Sequence, residues 1–98
     1  MNKVILHGHL GQDPQVNDEK TRAVLNIATK SVWYDEGQKK EVTDWHRVVF
    51  FRGKAETCAK YLKKGSRVLV EGRLKTKSYE QDGETKFITE VHGKTLEF

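Results

Sequence analysis

Short segments in which apolar and polar positions alternate recur along the chain. In residues 2–11, Val4, Leu6, Gly8 and Leu10 fall on one side, which is the two-residue period of a half-buried strand. Residues 66–79 alternate strictly, and Gly72 within them predicts a bulge or a sharp bend. Together with runs rich in β-branched residues, the pattern predicts five strands, at residues 2–11, 23–33, 42–52, 66–79 and 85 to 92 or slightly beyond.

Polar segments separate these predicted strands. Residues 12–22 form a polar connection that contains the only proline, and residues 34–41 form a hydrophilic loop with Gly37 at its tip. Gln81, Asp82 and Gly83 mark a tight turn. We therefore expect this turn to close a hairpin between the fourth and fifth strands.

One segment has the period of a helix. In residues 54–65 the apolar positions are three and four residues apart, which predicts one apolar stripe on a helix, formed by Ala55, Cys58, Ala59 and Leu62. Gly65 stands where a left-handed C-terminal cap is expected. A single short helix is therefore predicted between the third and fourth strands.

This order of elements is typical of the OB-fold, an all-β, five-stranded Greek-key barrel with one short α-helix between strands three and four. Small SH3-like barrels and other α+β folds share part of the order, and the fold by itself does not determine a function. A length of 98 residues suits one domain. We expect a single OB-fold domain over residues 1–98.

Composition narrows the class of protein. Hydrophobic residues make up 36% and charged residues 33% of the chain, which is enough apolar material for a globular core. The single cysteine excludes an internal disulfide framework and fits a reducing compartment. The apolar run at residues 4–6 is far too short for a signal peptide or a membrane span, so a cytoplasmic protein without a membrane association is expected.

The third predicted strand carries the first candidate binding residues. The stretch TDWHRVVFF, residues 43–51, sets Trp45, Arg47, Val49 and Phe51 on one face if the strand has no bulge. Arg47 then lies between two aromatic side chains. An arginine at this position of a core strand requires an explanation.

The fourth strand repeats this mixture of cations and aromatic rings. Its outer row contains Arg73, Lys75, Lys77 and Tyr79, and the second strand ends in Trp33. The excess of positive charge between residues 60 and 77 exceeds the net charge of +4 of the whole chain. Lysine and arginine neutralise phosphates and flat rings stack on unpaired bases, so the pattern predicts binding of a single-stranded nucleic acid.

Each part of this pattern also has a purely structural interpretation. Trp45 and Phe51 are equally well explained as core residues when their strand is considered alone. The cationic row is, by itself, typical of a solvated face or of an edge protected against aggregation. The combination favours binding, because burying Arg47 beside aromatic rings without a partner is costly.

No catalytic or metal-binding motif is visible in the sequence. His7 and His9 form one i, i+2 pair, but no cysteine or carboxylate lies near them in the sequence, so we expect no metal. His46 and His92 are single surface or interface histidines in this interpretation. Cys58 lies on the apolar helix stripe, which favours packing over nucleophilic chemistry. Neither an enzyme nor a cofactor is predicted.

The sequence also resembles a known family. NKVILHGHLGQDP at 2–14, TDWHRVVFF at 43–51, AETCAKYLKKGSRVLVEGRLKTKSY at 55–79 and ITEVHG at 88–93 closely resemble the DNA-binding domain of bacterial single-stranded DNA-binding proteins. The resemblance covers nearly the whole chain, with residues 12–22 and 34–41 the least alike. It implies sequence-independent binding and protection of single-stranded DNA in replication, recombination and repair, in association with the nucleoid.

The resemblance assigns roles to individual positions. It implies that the aromatic side chains stack on bases and that the basic ones follow the DNA backbone; these are Trp33, Trp45, Phe51 and Tyr79, and Arg47, Lys75 and Lys77. Tyr79 departs from the tryptophan of close relatives but still offers a ring for stacking. Lys3 and Arg73 are added from charge and position alone.

Oligomerisation and protein partners are also implied by the resemblance. The residue matched by His46 contributes to a subunit interface in homotetrameric relatives, so a homotetramer is expected, with a dimer as the alternative. Relatives usually continue into a flexible tail with an acidic end that recruits replication and repair proteins, whereas this sequence ends at Phe98. We expect either a trimmed core or a naturally short relative.

Two other functions stay open at this point. A primosome-type restart protein of the same family binds single strands and partner proteins, but retention of all four aromatic positions argues against it. An OB module used only for protein contacts does not need the row Arg73, Lys75, Lys77 and Tyr79.

Overall fold

All five predicted strands and the helix are present in the structure. The computed structural model describes residues 1–98. A sixth strand of two residues, absent from the sequence prediction, lies in the polar connection. The elements are β1 Val4–Leu10, β2 Gln15–Val16, β3 Arg22–Asp35, β4 Gln38–Phe51, α1 Gly53–Tyr61, β5 Arg67–Gln81 and β6 Glu84–Glu97.

The long strands close into a barrel. The order in the sheet is β1-β5-β6-β4-β3-β2, and an additional pairing of β1 with β3 closes the five long strands into a ring that leaves the two-residue β2 outside it. Neighbours are antiparallel except β4 and β6, which pair in parallel over two positions. The helix follows β4 and packs against β3 and β4. This closed five-stranded barrel with its single helix confirms the predicted OB-fold.

The barrel interior is filled by the apolar positions that alternate along the strands. Removing them from water supplies most of the driving force for folding. The largest fully buried side chain is Phe50 of β4. The core cluster comprises Leu6, Leu10, Ala23, Leu25, Ile27, Val48, Phe50, Ala55, Cys58, Leu62, Val68, Val70 and Val91. Leu74, which continues the alternation of β5, is exposed because β1, the neighbour of β5 on that side, pairs with it only as far as Gly72.

The predicted irregularity at Gly72 is confirmed. The pairing of β5 with β6 shifts register between Glu71 and Gly72. A Cβ atom at position 72 would lie 2.2 Å from the backbone oxygen of His92. Only glycine therefore allows the two strands to approach this closely at the bulge.

The predicted loop at residues 34–41 is wrong. β3 continues to Asp35, β4 starts at Gln38, and the two residues between them form the whole turn. Glu36 has φ 50° and Gly37 has φ 81°, the left-handed pair of a type I′ turn, whose twist suits a hairpin. The same geometry recurs in the β5–β6 turn at Asp82 and Gly83, with φ 52° and 77°, which confirms the hairpin predicted there. β6 runs on to Glu97.

The helix is shorter than predicted. It ends at Tyr61, because Leu62 adopts an extended conformation and places its side chain in the core. Gly65 does have a left-handed φ of 89°, but it lies in the turn that leads into β5 and does not cap the helix. Ala59 of the predicted apolar stripe is exposed. The helix is neither long nor apolar enough to cross a membrane.

Candidate nucleic-acid interface

The four aromatic side chains predicted to stack on bases all lie outside the core. Their exposed fractions lie between 44% and 62%, and they belong to Trp33, Trp45, Phe51 and Tyr79. The aromatic residue that fills the core is Phe50, which is fully buried. The structure thus decides against the core interpretation of Trp45 and Phe51 that the sequence left open.

One outer face of the barrel carries most of the predicted binding residues. Because Val48 and Phe50 point into the core, their neighbours in β4, namely Trp45, Arg47 and Phe51, point outward. The parallel pairing of β4 with β6 aligns Val49 with His92, and His92 is in turn opposite Arg73 of β5. Alternation then brings the β5 row to the same face: Arg73, Lys75, Lys77 and Tyr79.

Trp33 stands apart from this group. β3 and β4 pair without a register shift, Trp45 is opposite Ala28, and Trp33 lies five residues further along β3. An odd separation places Trp33 on the other face of the ribbon. Its neighbour Tyr34, which is not among the predicted binding residues, is on the Trp45 face and is 72% exposed. Counting the alternation from Trp45 through a two-residue turn is the signal that identifies Tyr34.

Arg47 has a partner that sequence reasoning missed. Its Nε donates a hydrogen bond to Oε2 of Glu90 at 3.0 Å. Lys77 Nζ lies 2.8 Å from Oε1 of the same carboxylate, and His92 Nε2 lies 3.0 Å from Oε1. Glu90 is on β6 and its side chain is 2% exposed. The arginine in the aromatic stretch therefore belongs to a cluster of three strands around one buried acid.

The surroundings of Glu90 keep it ionised. Burial by itself would raise the pKa of the Glu90 carboxyl group, because a charge is less stable away from water. The hydrogen bonds from Lys77, His92 and Arg47 outweigh this effect and lower its pKa from 4.5 to about 2. At neutral pH the cluster therefore contains a carboxylate and at least two cations, with a net positive charge.

The other predicted cations have different surroundings. Lys75 is opposite Glu90 in the strand register but forms no salt bridge, so its charge is not compensated by a protein acid. Lys3 lies 3.3 Å from Glu71. One open cavity of about 570 Å³ is bordered by Lys3, Arg73, Phe51 and His92, so the two residues added from charge and position lie beside a predicted stacking ring.

Two further predicted residues lie away from this face. His46 points to the side opposite Trp45 and its Nε2 lies 2.8 Å from Thr29 Oγ1. Its role in a subunit interface stays a prediction. Cys58 is buried against the barrel, and burial raises the pKa of its thiol to about 11, so it is a packing residue and not an activated nucleophile. No group of three or more His, Cys, Asp or Glu side chains is placed to hold a metal ion.

Comparison with known proteins gives a consistent result. The model of the single-strand binding protein family matches residues 1–98. Among similar solved structures is a Plasmodium falciparum SSB in complex with ssDNA, with a TM-score of 0.81 and 34% identity over 94% of this chain and 85% of that one.

A second similar structure is a deletion mutant of the single-stranded DNA binding protein from Thermus aquaticus. It has a TM-score of 0.80 and 34% identity over 99% of this chain. The chain spans about half of that protein, 49% of its length.

Proposed function

The chain belongs to the single-strand binding protein family, and from this premise we propose that it binds single-stranded DNA without sequence preference and without chemistry on it. One observation carries the proposal. Exposed aromatic rings and cations occupy the same outer face of β4, β5 and β6. Neither a role in the core nor a merely solvated surface explains this combination. The proposed DNA-binding residues are Lys3, Trp33, Trp45, Arg47, Phe51, Arg73, Lys75, Lys77 and Tyr79.

Base stacking is the first part of the proposed mechanism. Each base stacked on an aromatic ring contributes about 1–3 kcal/mol when measured by truncation. Four rings would contribute roughly 4–12 kcal/mol per chain if their effects added, which is an upper bound because such losses are rarely additive. Every base has a flat face, so stacking tolerates any sequence. Duplex DNA, whose bases are already stacked and hidden, should bind poorly.

Phosphate neutralisation is the second part. Each phosphate contact on a single strand changes the log–log salt slope of the affinity by about −0.7. Lys75, which has no acidic partner, should contribute a full contact. Arg47 and Lys77 share the Glu90 carboxylate and keep further N–H groups for phosphates.

The biological setting is proposed from the family. Binding of exposed single strands would serve replication, recombination and repair, in the cytoplasm and at the nucleoid. A homotetramer with His46 in a subunit interface is the proposed assembly. Replication and repair enzymes would be partners where the protein has the acidic tail of its relatives.

A restart-type protein that binds both single strands and partner proteins is the second candidate. The exposure of all four aromatic side chains favours the first function, because a restart protein is expected to have lost several of them. The number of subunits in the assembly distinguishes the two candidate functions. A dimer by analytical ultracentrifugation would favour the restart protein, and a tetramer would favour the first function.

Tryptophan fluorescence tests the proposed function. A dT oligomer and a duplex of equal length are titrated separately at low and at moderate salt. Strong quenching by the dT oligomer alone is expected, because Trp33 and Trp45 are the only tryptophans and both are exposed. A protein that shows neither quenching nor a change in the anisotropy of labelled dT would leave the protein-contact module as the better explanation.

A further inference from the structure

The buried carboxylate of Glu90 lies beneath the cations of the outer face. Its side chain is 2% exposed, whereas those of Arg47 and Lys77 are 35% and 41% exposed. A phosphate that approaches this face therefore meets the two cations before the carboxylate. The negative charge of Glu90 is covered by its own partners.

The contacts with Glu90 use only part of what each cation can donate. Arg47 uses its Nε–H, and its four remaining N–H groups make no hydrogen bond with the protein. A lysine ammonium has three donors, so Lys77 keeps two after its contact with Glu90. Each side chain is thus anchored by one contact with Glu90, and its remaining donors are free.

Resting on the proposed function, we propose that Glu90 is a positioning residue of the DNA interface, which holds Arg47 and Lys77 on the outer face in the arrangement that receives the DNA backbone. Long basic side chains have many rotamers, and immobilising them during binding costs affinity. A buried carboxylate that has already immobilised them removes this cost. Arg47 comes from β4 and Lys77 from β5, so the acid also fixes the spacing between two strands.

The same carboxylate reaches a stacking ring through His92. His92 Nε2 contacts Glu90, and the imidazole ring meets Phe51 edge to face, with ring centroids 5.4 Å apart and an interplanar angle of 72°. Phe51 is therefore supported by a side chain that Glu90 orients. One buried acid is connected in this way to two residues proposed to bind phosphates and to one ring proposed to stack on a base.

Charge compensation alone makes the opposite prediction from positioning. If Glu90 served only to reduce positive charge, Glu90→Gln would raise the net charge of the interface and would tighten DNA binding. If Glu90 positions the cations, the same variant weakens binding although the protein becomes more positive. We expect affinity for a dT oligomer to fall about tenfold, since two long side chains lose their preorganisation.

Glu97→Gln is the matched control. It removes the same charge from the same strand, but Glu97 is exposed and forms no salt bridge. We expect it to bind dT as the wild type does or slightly more tightly. If Glu90→Gln binds as tightly as Glu97→Gln, the positioning role is overturned while the proposed function stands. If the wild type does not bind dT, the proposed function itself fails.

A double-mutant cycle separates positioning from a general structural effect. In a Lys77→Met background one of the two cations is already absent, so Glu90→Gln should cost only about threefold instead of about tenfold. An equal loss in both backgrounds would show that Glu90 acts on the whole fold and would overturn the proposal. Affinities are compared per folded protein, with the folded fraction taken from circular dichroism.

Glu90→Asp decides the question if Glu90→Gln does not fold. It keeps the charge but is one methylene shorter, so it cannot reach all three partners at once. Positioning predicts weaker dT binding by the aspartate variant at unchanged net charge. Wild-type affinity of Glu90→Asp would contradict the proposal.

Discussion

Acid should destabilise this protein through Glu90 in a narrow and calculable range of pH. The Glu90 carboxyl group has a pKa of about 2 in the folded protein, against 4.5 for an ordinary glutamate side chain. The folded state therefore binds fewer protons than the unfolded state between these two values. A group of this kind contributes stability that is complete above about pH 5 and is lost as the pH falls through the folded value.

The magnitude follows from the difference in pKa. A shift of one unit corresponds to 1.36 kcal/mol, so a lowering from 4.5 to about 2 corresponds to roughly 3 kcal/mol of unfolding free energy. Little discount for solvent is needed, because the side chain is 2% exposed. Midway between the two values nearly one proton is taken up on unfolding, so Glu90 alone should change the stability by about 1.2 kcal/mol per pH unit near pH 3.

Urea unfolding of the wild type and of Glu90→Gln between pH 7 and pH 2 measures this slope. Both proteins contain the same other acids, so the difference between their slopes isolates Glu90. Protein concentration is kept constant, since any association adds to the apparent stability. The wild type should lose roughly 3 kcal/mol more than the variant over this range, and Glu97→Gln should follow the wild type. Equal slopes for the wild type and Glu90→Gln would refute the electrostatic interpretation of the cluster.

Three further predictions concern single side chains. Trp45→Ala should weaken dT binding by about 1–3 kcal/mol with an almost unchanged salt slope. Tyr61→Ala, which removes an exposed ring at the end of the helix, should leave the affinity unchanged, and equal affinities for both variants would remove Trp45 from the site. Lys75→Ala should flatten the log–log salt slope by about 0.7, and a slope that stays the same would mean that Lys75 is merely solvated. Cys58, buried and with a thiol pKa of about 11, should react with a thiol reagent only as fast as the protein unfolds, so fast labelling of the native protein at neutral pH would contradict its buried placement.

The barrel could be predicted from the sequence because each of its strands has one buried face. Leu6, Gly8 and Leu10 alternate with His7 and His9, and this two-residue period shows which side chains point into the barrel and which point outward. The end of β3 and the start of β4 show no such period, because residues 31–44 are exposed on both faces. A hydrophilic loop and a solvated hairpin then have the same composition, and only the Glu36–Gly37 turn chemistry separates them.

The residue types of the candidate interface could be predicted from the sequence, but the contacts between those residues could not. Arg47, Lys77 and the aromatic rings stand out because cations and large rings are unusual neighbours on a strand. Glu90 looks like any solvated acid in the stretch ITEVHG. Its importance comes from partners on other strands, Arg47 being 43 residues away along the chain, and from the register that aligns β5 with β6. The local sequence pattern contains no information on contacts between side chains of three different strands.

The hairpin formed by β3 and β4 beyond Lys30 has a consequence for motion. In this ribbon each strand has only the other as a partner, and an isolated two-stranded hairpin is marginally stable. We therefore expect the hairpin to open and close as a separate unit of local unfolding, while the part of β4 that contains the buried Val48 and Phe50 stays folded. Trp33 lies on the part that opens readily and Trp45 at its base, so one of the two proposed stacking rings could follow the path of a DNA strand while the other stays in place.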